Sequence, residues 1–291
     1  WVYEGLTNYL GWVLTARSGL WNAEDARDHL AITAEAMKNS RGRAWRSLED
    51  TGASSHLLAE SRGGGWSAYR RSLDYYDEGT LLWLEADVII RRESKGTKSL
   101  DDFCRSFFAC PPGRPEVKGY TLDDLAASLN EIAPYQWKAH FVRRVSLPTE
   151  EAPLEGLALG GWNLGYGTKP SEAIKAAERV SKSMNLASSL GLRINNEGAV
   201  LDAIPDSPGA KAGIGPGMKV VAVNGRRFTP EHLQTAIGGT PASGKVELLV
   251  ENGDFFGTNV IKYSGGPRYP KLERTLAGPD LIGRIIKAKG K

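Results

Sequence analysis

Histidine and cysteine, the side chains that most often hold zinc in proteins, are scarce in this 291-residue sequence. The four histidines are scattered through the chain, at positions 29, 56, 140 and 232. We interpret His140 as a packing or surface residue. Cys104 and Cys110 lack C-x-x-C spacing, so they indicate neither a disulfide scaffold nor a zinc or redox site built on cysteine. A local disulfide between them is an alternative, but two buried free thiols are favoured.

Long apolar runs and a dominant charge of one sign are also lacking. The composition is 41% hydrophobic and 24% charged, with a formal net charge of +3. No apolar run approaches the roughly 20 residues that a membrane span needs. No basic block indicates a nucleic acid or an anionic membrane as a partner. We therefore expect folded domains with buried cores, and neither a nucleic-acid partner nor a membrane span in this chain.

The first thirteen residues form the most informative stretch. Apolar and aromatic side chains follow helical spacing, at positions 1, 3, 6, 9, 10 and 13, which predicts a helix with a wide buried face. Glu4 is the sole carboxylate in this stretch and lies near the edge of that face. A carboxylate that leaves water needs a partner. The spacing favours a surface or salt-bridged Glu near a helix N-terminus, and a metal ligand is the alternative.

Residues 1–9, Trp-Val-Tyr-Glu-Gly-Leu-Thr-Asn-Tyr, resemble the segment that carries the third zinc ligand in the glycyl aminopeptidase family. Its members are gluzincins with a thermolysin-like catalytic domain and a PDZ domain near the C-terminus. The resemblance implies that Glu4 is a zinc ligand. The family's H-E-x-x-H helix, which supplies two His ligands and the catalytic Glu, has no counterpart in this sequence. We expect that motif to precede Trp1, so the sequence is interpreted as the C-terminal part of a longer enzyme.

A second segment, Tyr-Tyr-Asp-Glu-Gly at residues 75–79, resembles the Tyr-x-x-Gly element of gluzincin aminopeptidases. The resemblance implies that Tyr76 donates a hydrogen bond to the oxyanion of the tetrahedral intermediate. A phenol is a neutral donor at pH 7, and such a donor can stabilise a transition state by about 3–4 kcal/mol. Without the resemblance, Tyr75 and Tyr76 are interpreted as core aromatics with satisfied hydroxyls.

The second half of the sequence changes to short strands and glycine-rich turns. Strands are predicted over 198–204, 218–223 and 245–251, with a type I′ turn at Asn224-Gly225 and a helix that opens at Thr229-Pro230. A helical insert is predicted from roughly Ser171 to Met184. The run Asp-Ser-Pro-x-x-x-Ala-Gly at 206–213, followed by Val-Asn-Gly, closely resembles a bacterial PDZ domain.

The PDZ resemblance implies a peptide groove. Its carboxylate-binding loop corresponds to Ser189, Leu190, Gly191 and Leu192, and the strand after the loop would add a peptide C-terminus by β-augmentation. Leu233 and Ile237 would form the opposite wall of the groove. The alternative is a PDZ fold that serves as a brace against the peptidase domain.

The predicted fold class is multidomain α and β. An all-α C-terminal half of a thermolysin-like peptidase domain is predicted over 1–148, followed by a linker over 149–155. A PDZ-type small β-barrel or sandwich with a helical insert is predicted over 156–268, and a C-terminal tail over 269–291.

The resemblance implies a zinc-dependent aminopeptidase that removes small N-terminal residues such as Gly or Ala from peptide substrates. Because no histidine ligands accompany Glu4, we expect this chain alone to bind little or no zinc and to be inactive. The alternative function is a non-catalytic PDZ peptide-binding module on a helical platform.

Overall fold

The computed structural model describes residues 1–59, 65–109, 117–275 and 278–288. Its first half is helical, and helices and strands alternate in its second half, in agreement with the predicted mixture. The helices of the first half are α1 (Val2–Arg17), α2 (Ala23–Asn39), α3 (Leu48–Ala53), α4 (Ser55–Ala59), α5 (Ser67–Arg70), α6 (Asp77–Glu93), α7 (Leu100–Phe107), α8 (Leu122–Ile132), α9 (Trp137–Phe141) and α10 (Glu155–Leu159). Short 3₁₀ and π-helical turns cover Arg41–Ala44 and Val142–Ser146.

The elements of the second half begin with a strand that follows α10 directly. They are β1 (Trp162–Gly167), α11 (Glu172–Ser181), β2 (Ser183–Leu186), β3 (Leu192–Asn195), β4 (Val200–Ala203), α12 (Pro208–Lys211), β5 (Lys219–Val223), β6 (Arg226–Arg227), α13 (Pro230–Gly238), α14 (Thr240–Ser243), β7 (Lys245–Asn252), β8 (Phe255–Lys262), β9 (Tyr269–Arg274) and α15 (Leu281–Ile286). The predicted insert is therefore wrong at its end, because the helix stops at Ser181 and Met184 lies in a strand.

Several helix starts follow from side-chain caps that the sequence shows. The Asn22 Oδ1 atom accepts a hydrogen bond from the Asp25 amide at 3.0 Å, and the Asp25 carboxylate accepts one from the Asn22 amide at 3.2 Å. Ser99 and Thr121 open α7 and α8 with similar reciprocal pairs. Such capping boxes satisfy backbone N–H groups that have no partner within the helix. The predicted starts of these three helices are confirmed.

Helix α6 forms the centre of the helical half. Its residues from Glu78 to Ile90 are all buried, and α1 packs along it. The Tyr9 hydroxyl donates to Asp87 Oδ2 at 2.7 Å, which fixes one helix to the other. Tyr3, which was predicted to lie on the buried face of α1, is 71% exposed instead. Within the described ranges, no helix combines the length and apolarity that crossing a bilayer requires.

The described strands form three antiparallel sheets, with the orders β1-β9, β2-β3-β4 and β6-β5-β7-β8. The turn between β5 and β6 has positive φ values at Asn224 (46°) and Gly225 (76°), as the predicted type I′ turn requires. Helix α13 begins where its sequence signal predicted, because the Thr229 hydroxyl accepts a hydrogen bond from the His232 amide at 3.1 Å.

Packing crosses the predicted domain boundaries in two places. Leu157 and Trp162 are buried in the same core cluster as α1 and α6, although they follow the predicted linker. Strand β9 pairs with β1, and Leu281 and Ile282 of α15 enter the helical core, so the segment predicted as a tail is an integral part of the fold. The boundaries themselves stay predictions.

Candidate functional site

Glu4 and Tyr76 lie at the same end of a tightly packed helix pair. Helices α1 and α6 lie side by side in the same direction, because Tyr9 contacts Asp87 at 2.7 Å and Arg17 at the end of α1 contacts Asp101, beyond the end of α6, at 3.0 Å. They approach closely at two glycines. A Cβ added to Gly5 would lie 2.6 Å from the Gly79 Cα, with no side chain between them to move. Glu4 directly precedes Gly5, and Tyr76 lies one helical turn before Gly79. The crossing therefore brings the first turns of both helices together.

Tyr76 is half-buried at the start of α6. Its ring lies 4.9 Å from the ring of Tyr75, and its backbone carbonyl accepts a hydrogen bond from the Thr80 hydroxyl at 2.9 Å. Tyr75 is buried with Leu82 and other apolar residues, and the rings of Trp1 and Tyr76 pack against this cluster. Tyr75 thus has a core role, whereas the catalytic role of Tyr76 stays a prediction.

A buried ionic network holds the segment that leads into α6. The Glu78 carboxylate accepts a hydrogen bond from the Arg71 guanidinium, and its Oε2 lies 3.3 Å from Arg43 Nη1. Arg71 also lies 3.5 Å from the Asp74 carboxylate, which accepts a hydrogen bond from the Ser40 hydroxyl at 2.7 Å. Burial lowers the pKa of Arg43, and Glu78 opposes that shift. Removal of one partner would leave an uncompensated charge in the interior, so the network constrains this segment strongly.

Sequence reasoning missed this network and the glycine crossing. A sequence signal for the crossing can be recognised once the structure is known. Gly5 and Gly79 each interrupt a run of bulky residues inside a helix, where glycine is otherwise unfavourable by about 1 kcal/mol. The arginines gave no comparable signal. Their partner Glu78 lies near in sequence to Arg71, but Arg43 reaches it through the fold alone.

An acidic cavity of about 320 Å³ borders Asp77, the residue that follows Tyr76. The cavity is lined by α2, by the segment from Ser67 to Asp77, and by β3 and β4. Burial raises the pKa of Asp77, and nearby Asp74 adds to the effect. Glu35 lines the same cavity; it is 3% exposed, and burial raises its pKa to about 7. Its Oε1 atom has no hydrogen-bond partner among the described residues.

The described residues do not fit a zinc ion by themselves. Within that part of the chain, no group of three or more His, Cys, Asp or Glu side chains is placed to hold a metal. Glu4 can supply one carboxylate, whereas zinc sites in proteins take about three or four protein ligands. His140 is buried beside Phe141, and burial lowers its pKa to about 4. Burial also raises the pKa of the Cys104 thiol to about 11, and Cys110 lies outside the described residues.

The residues predicted for the peptide groove come together in the core of the strand-rich part. Ser189 is 6% exposed, and Gly191 adopts a φ of +73° in the turn before β3. The remaining predicted residues share one hydrophobic cluster: Leu190, Leu192, Leu233 and Ile237. Strand β3, which was predicted to accept a peptide, is flanked by β2 on one side and β4 on the other. The peptide-binding role of these residues stays a prediction.

Comparison with known proteins gives a family match over the first 82 residues. Residues 1–82 match the family model of the M61 glycyl aminopeptidases. Over these residues the resemblance to the glycyl aminopeptidase family is confirmed. That match includes both Glu4 and Tyr76, the two site residues predicted for this family. No curated protein matches the sequence.

A crystal structure of an aminopeptidase N family protein from Idiomarina loihiensis has a similar fold. The TM-score is 0.69 at 18% sequence identity, over 99% of this chain and 48% of that chain. At this identity the likeness concerns the fold. The chain described here spans about half the length of that protein.

Proposed function

We propose that this chain contributes to a zinc-dependent aminopeptidase that removes small residues such as Gly or Ala from peptide N-termini. The observation that carries the proposal is the family match over residues 1–82, which contains Glu4 and Tyr76. The packing of α1 against α6 supports it, since the glycine crossing holds the first turns of both helices in contact. The preference for small residues comes from the resemblance.

The two residues have different proposed roles. Glu4 supplies one carboxylate ligand, and the family resemblance assigns the two histidine ligands to an H-E-x-x-H helix, a motif that does not occur in this sequence. Tyr76 donates its phenolic proton as a hydrogen bond to the oxygen on which negative charge develops. Its ring packs 4.9 Å from that of Tyr75, and the buried Arg71–Glu78 ion pair constrains the backbone on either side of it.

The strand-rich part is proposed to be a PDZ-type unit that braces the helical part. The support is a direct polar contact: the Asp202 carboxylate on β4 accepts hydrogen bonds from the Trp66 amide at 2.8 Å and the Ser67 amide at 3.2 Å. Those amides open α5, where a carboxylate is favoured by the unpaired N–H groups. The contact connects β4 with the segment that leads towards Tyr76.

Substitutions in the full-length enzyme test the proposal, with zinc content and kcat measured on each variant. Glu4→Gln is expected to lower zinc occupancy, whereas its control Glu24→Gln, an exposed residue in the first turn of α2, is expected to leave zinc unchanged. Tyr76→Phe is expected to lower kcat about 100- to 1,000-fold with zinc retained. Its control, Tyr75→Phe, removes the neighbouring hydroxyl and is expected to keep kcat near wild type.

Full activity with full zinc in both Glu4→Gln and Tyr76→Phe would refute the site assignment.

The chain of 291 residues supplies an independent measurement. It is expected to hydrolyse no aminoacyl substrate at enzyme-like rates after incubation with zinc. Measured turnover of this chain comparable to the full-length enzyme would show that the other ligands are not needed and would overturn the proposed division of roles.

A further inference from the structure

The loop before β3 already holds a backbone oxygen of this chain. The Leu186 carbonyl accepts hydrogen bonds from the Ser189 amide at 3.1 Å and from the Gly191 amide at 2.9 Å. The Ser189 hydroxyl lies 3.3 Å from the same oxygen. Loop amides that converge on one oxygen are the means by which such a loop binds a terminal carboxylate. Here the oxygen they bind belongs to the last residue of β2.

Strand β2 also occupies an edge of β3. The two strands pair antiparallel, with Leu186 opposite Leu192 and Met184 opposite Ile194. The other edge of β3 is taken by β4. An external strand adds to a sheet by pairing with an unpaired edge. Within the described residues, β3 therefore offers no free edge to a peptide while β2 is in place.

The last three side chains of β2 alternate between buried and exposed, as those of a bound peptide would. Met184 is 3% exposed and Leu186 is 5% exposed, whereas Asn185 between them points to solvent. Met184 and Leu186 belong to the hydrophobic cluster that contains Leu233 and Ile237 of α13. Leu186 and Ile237 also line a common cavity of about 200 Å³. Side chains of β2 and of the apolar wall predicted for the groove thus belong to one hydrophobic cluster.

We infer that Ser183–Leu186 acts as a built-in ligand that fills the peptide groove of the strand-rich part. The inference rests on the PDZ-type unit proposed above. The groove recognises an aliphatic residue at the position of Leu186 and a second one two residues earlier, at the position of Met184. A peptide with a free carboxylate after that pattern competes with β2 and binds only when β2 is weakened. The unit consequently serves as a brace and binds no external C-terminus in its native state.

Peptide binding to three versions of the full chain tests this inference. The probe is a fluorescent N-acetylated hexapeptide that ends in Met-Asn-Leu with a free carboxylate, and its C-terminal amide serves as a second probe. The double variant Met184→Ala/Leu186→Ala removes both buried anchors, and Asn185→Ser is the control on the solvent face of the same strand. By anisotropy, the double variant is expected to bind the acid at least about tenfold more tightly than wild type and Asn185→Ser, and about tenfold more tightly than the amide.

Equal affinity of wild type and the double variant for the acid probe would overturn the inference, because the groove would then be open. Absence of binding to a double variant that keeps its wild-type circular dichroism would also overturn it, because the groove would have no such specificity. These results are separate from the peptidase proposal, which is measured by zinc content and kcat and stays intact if no peptide binds.

Amide hydrogen exchange of the wild-type chain keeps the inference testable if the double variant does not fold. The amides of Ser189 and Gly191 are expected to exchange at least about 100-fold more slowly than unstructured amides, because both donate to Leu186. Exchange of these amides at unstructured rates would show that β2 leaves the loop readily, and it would contradict occupation of the groove by the chain itself.

Discussion

The helix crossing at Gly5 and Gly79 should not tolerate a single added methyl group. In Gly5→Ala, the new Cβ would lie 2.6 Å from the Gly79 Cα and 2.8 Å from the Gly79 carbonyl carbon. Both atoms belong to the backbone of α6, so the helices must separate to relieve the contact. Overpacking of this kind costs typically about 1–3 kcal/mol. The gain in helix propensity from Gly to Ala, about 1 kcal/mol, offsets part of that cost.

Gly11→Ala on the same helix is the matched control. An added Cβ there would have no atom within 4 Å, so this variant gains the helix propensity without a steric cost. Both variants share the gain in helix propensity. The difference between their free energies of unfolding therefore isolates the steric cost of an added methyl group at the crossing. We expect Gly5→Ala to be less stable than Gly11→Ala by about 1–3 kcal/mol. Urea denaturation followed by circular dichroism measures both values. Equal stability of the two variants would refute the close approach of α1 and α6.

Two further predictions concern buried carboxyl groups. Glu78→Gln removes the buried carboxylate shared by Arg43 and Arg71 and leaves only Asp74, 3.5 Å from Arg71, so we expect a loss of about 3–5 kcal/mol in the free energy of unfolding. The control Asp123→Asn removes one partner of an exposed pair with Lys138 and should change the free energy of unfolding little. An equal loss of stability in both variants would contradict the buried network. Burial raises the pKa of Glu35 from 4.5 to about 7. Between these pH values the folded state binds more protons than the unfolded state. The free energy of unfolding should therefore fall as the pH rises, by up to roughly 3 kcal/mol. Buried His140 changes stability in the opposite direction between about pH 4 and 6.5. Comparison of wild type with Glu35→Gln over pH 4.5–8 therefore isolates the contribution of Glu35. Identical dependence of stability on pH in the two proteins would exclude that contribution.

Local sequence signals predicted the elements that are stabilised by short-range interactions. The caps at Asn22, Ser99 and Thr121 each combine a polar side chain with an acid three residues later, and each opens a helix in the structure. The Asn224-Gly225 turn is local in the same sense, because its two positive φ values are set by those residues. These elements needed no knowledge of distant contacts.

Elements that depend on distant partners were not predictable from spacing. Ser183-Met184 looked like the end of a helix, but Lys182 adopts a φ of +49° and the chain then pairs with β3. Strand β9 was assigned to a tail because its partner, β1, lies about a hundred residues earlier in the sequence. Tyr3 followed the helical period of its neighbours and yet faces solvent, since the contact with α6 selects a narrower face than the sequence pattern suggested.

The candidate site also combines residues that the sequence indicates with contacts that depend on the fold. Glu4 and Tyr76 were found through a family resemblance, and the sequence spacing alone favoured a surface carboxylate and a core aromatic. Their placement at one end of the α1–α6 pair depends on the Gly5–Gly79 contact across 74 residues, which no local pattern specifies. Arg43 likewise reaches Glu78 from a different part of the chain.

The coordination of zinc in the proposed full-length enzyme tests the central claim most directly. A crystal structure of the zinc-loaded enzyme, with the metal located by anomalous scattering, would give the distance from the Glu4 carboxylate to the ion. The proposed function predicts a Glu4 oxygen within about 2.0–2.2 Å of zinc, the usual length of a zinc–carboxylate bond. Zinc bound at full occupancy by other residues, with Glu4 outside its coordination sphere, would contradict the assignment.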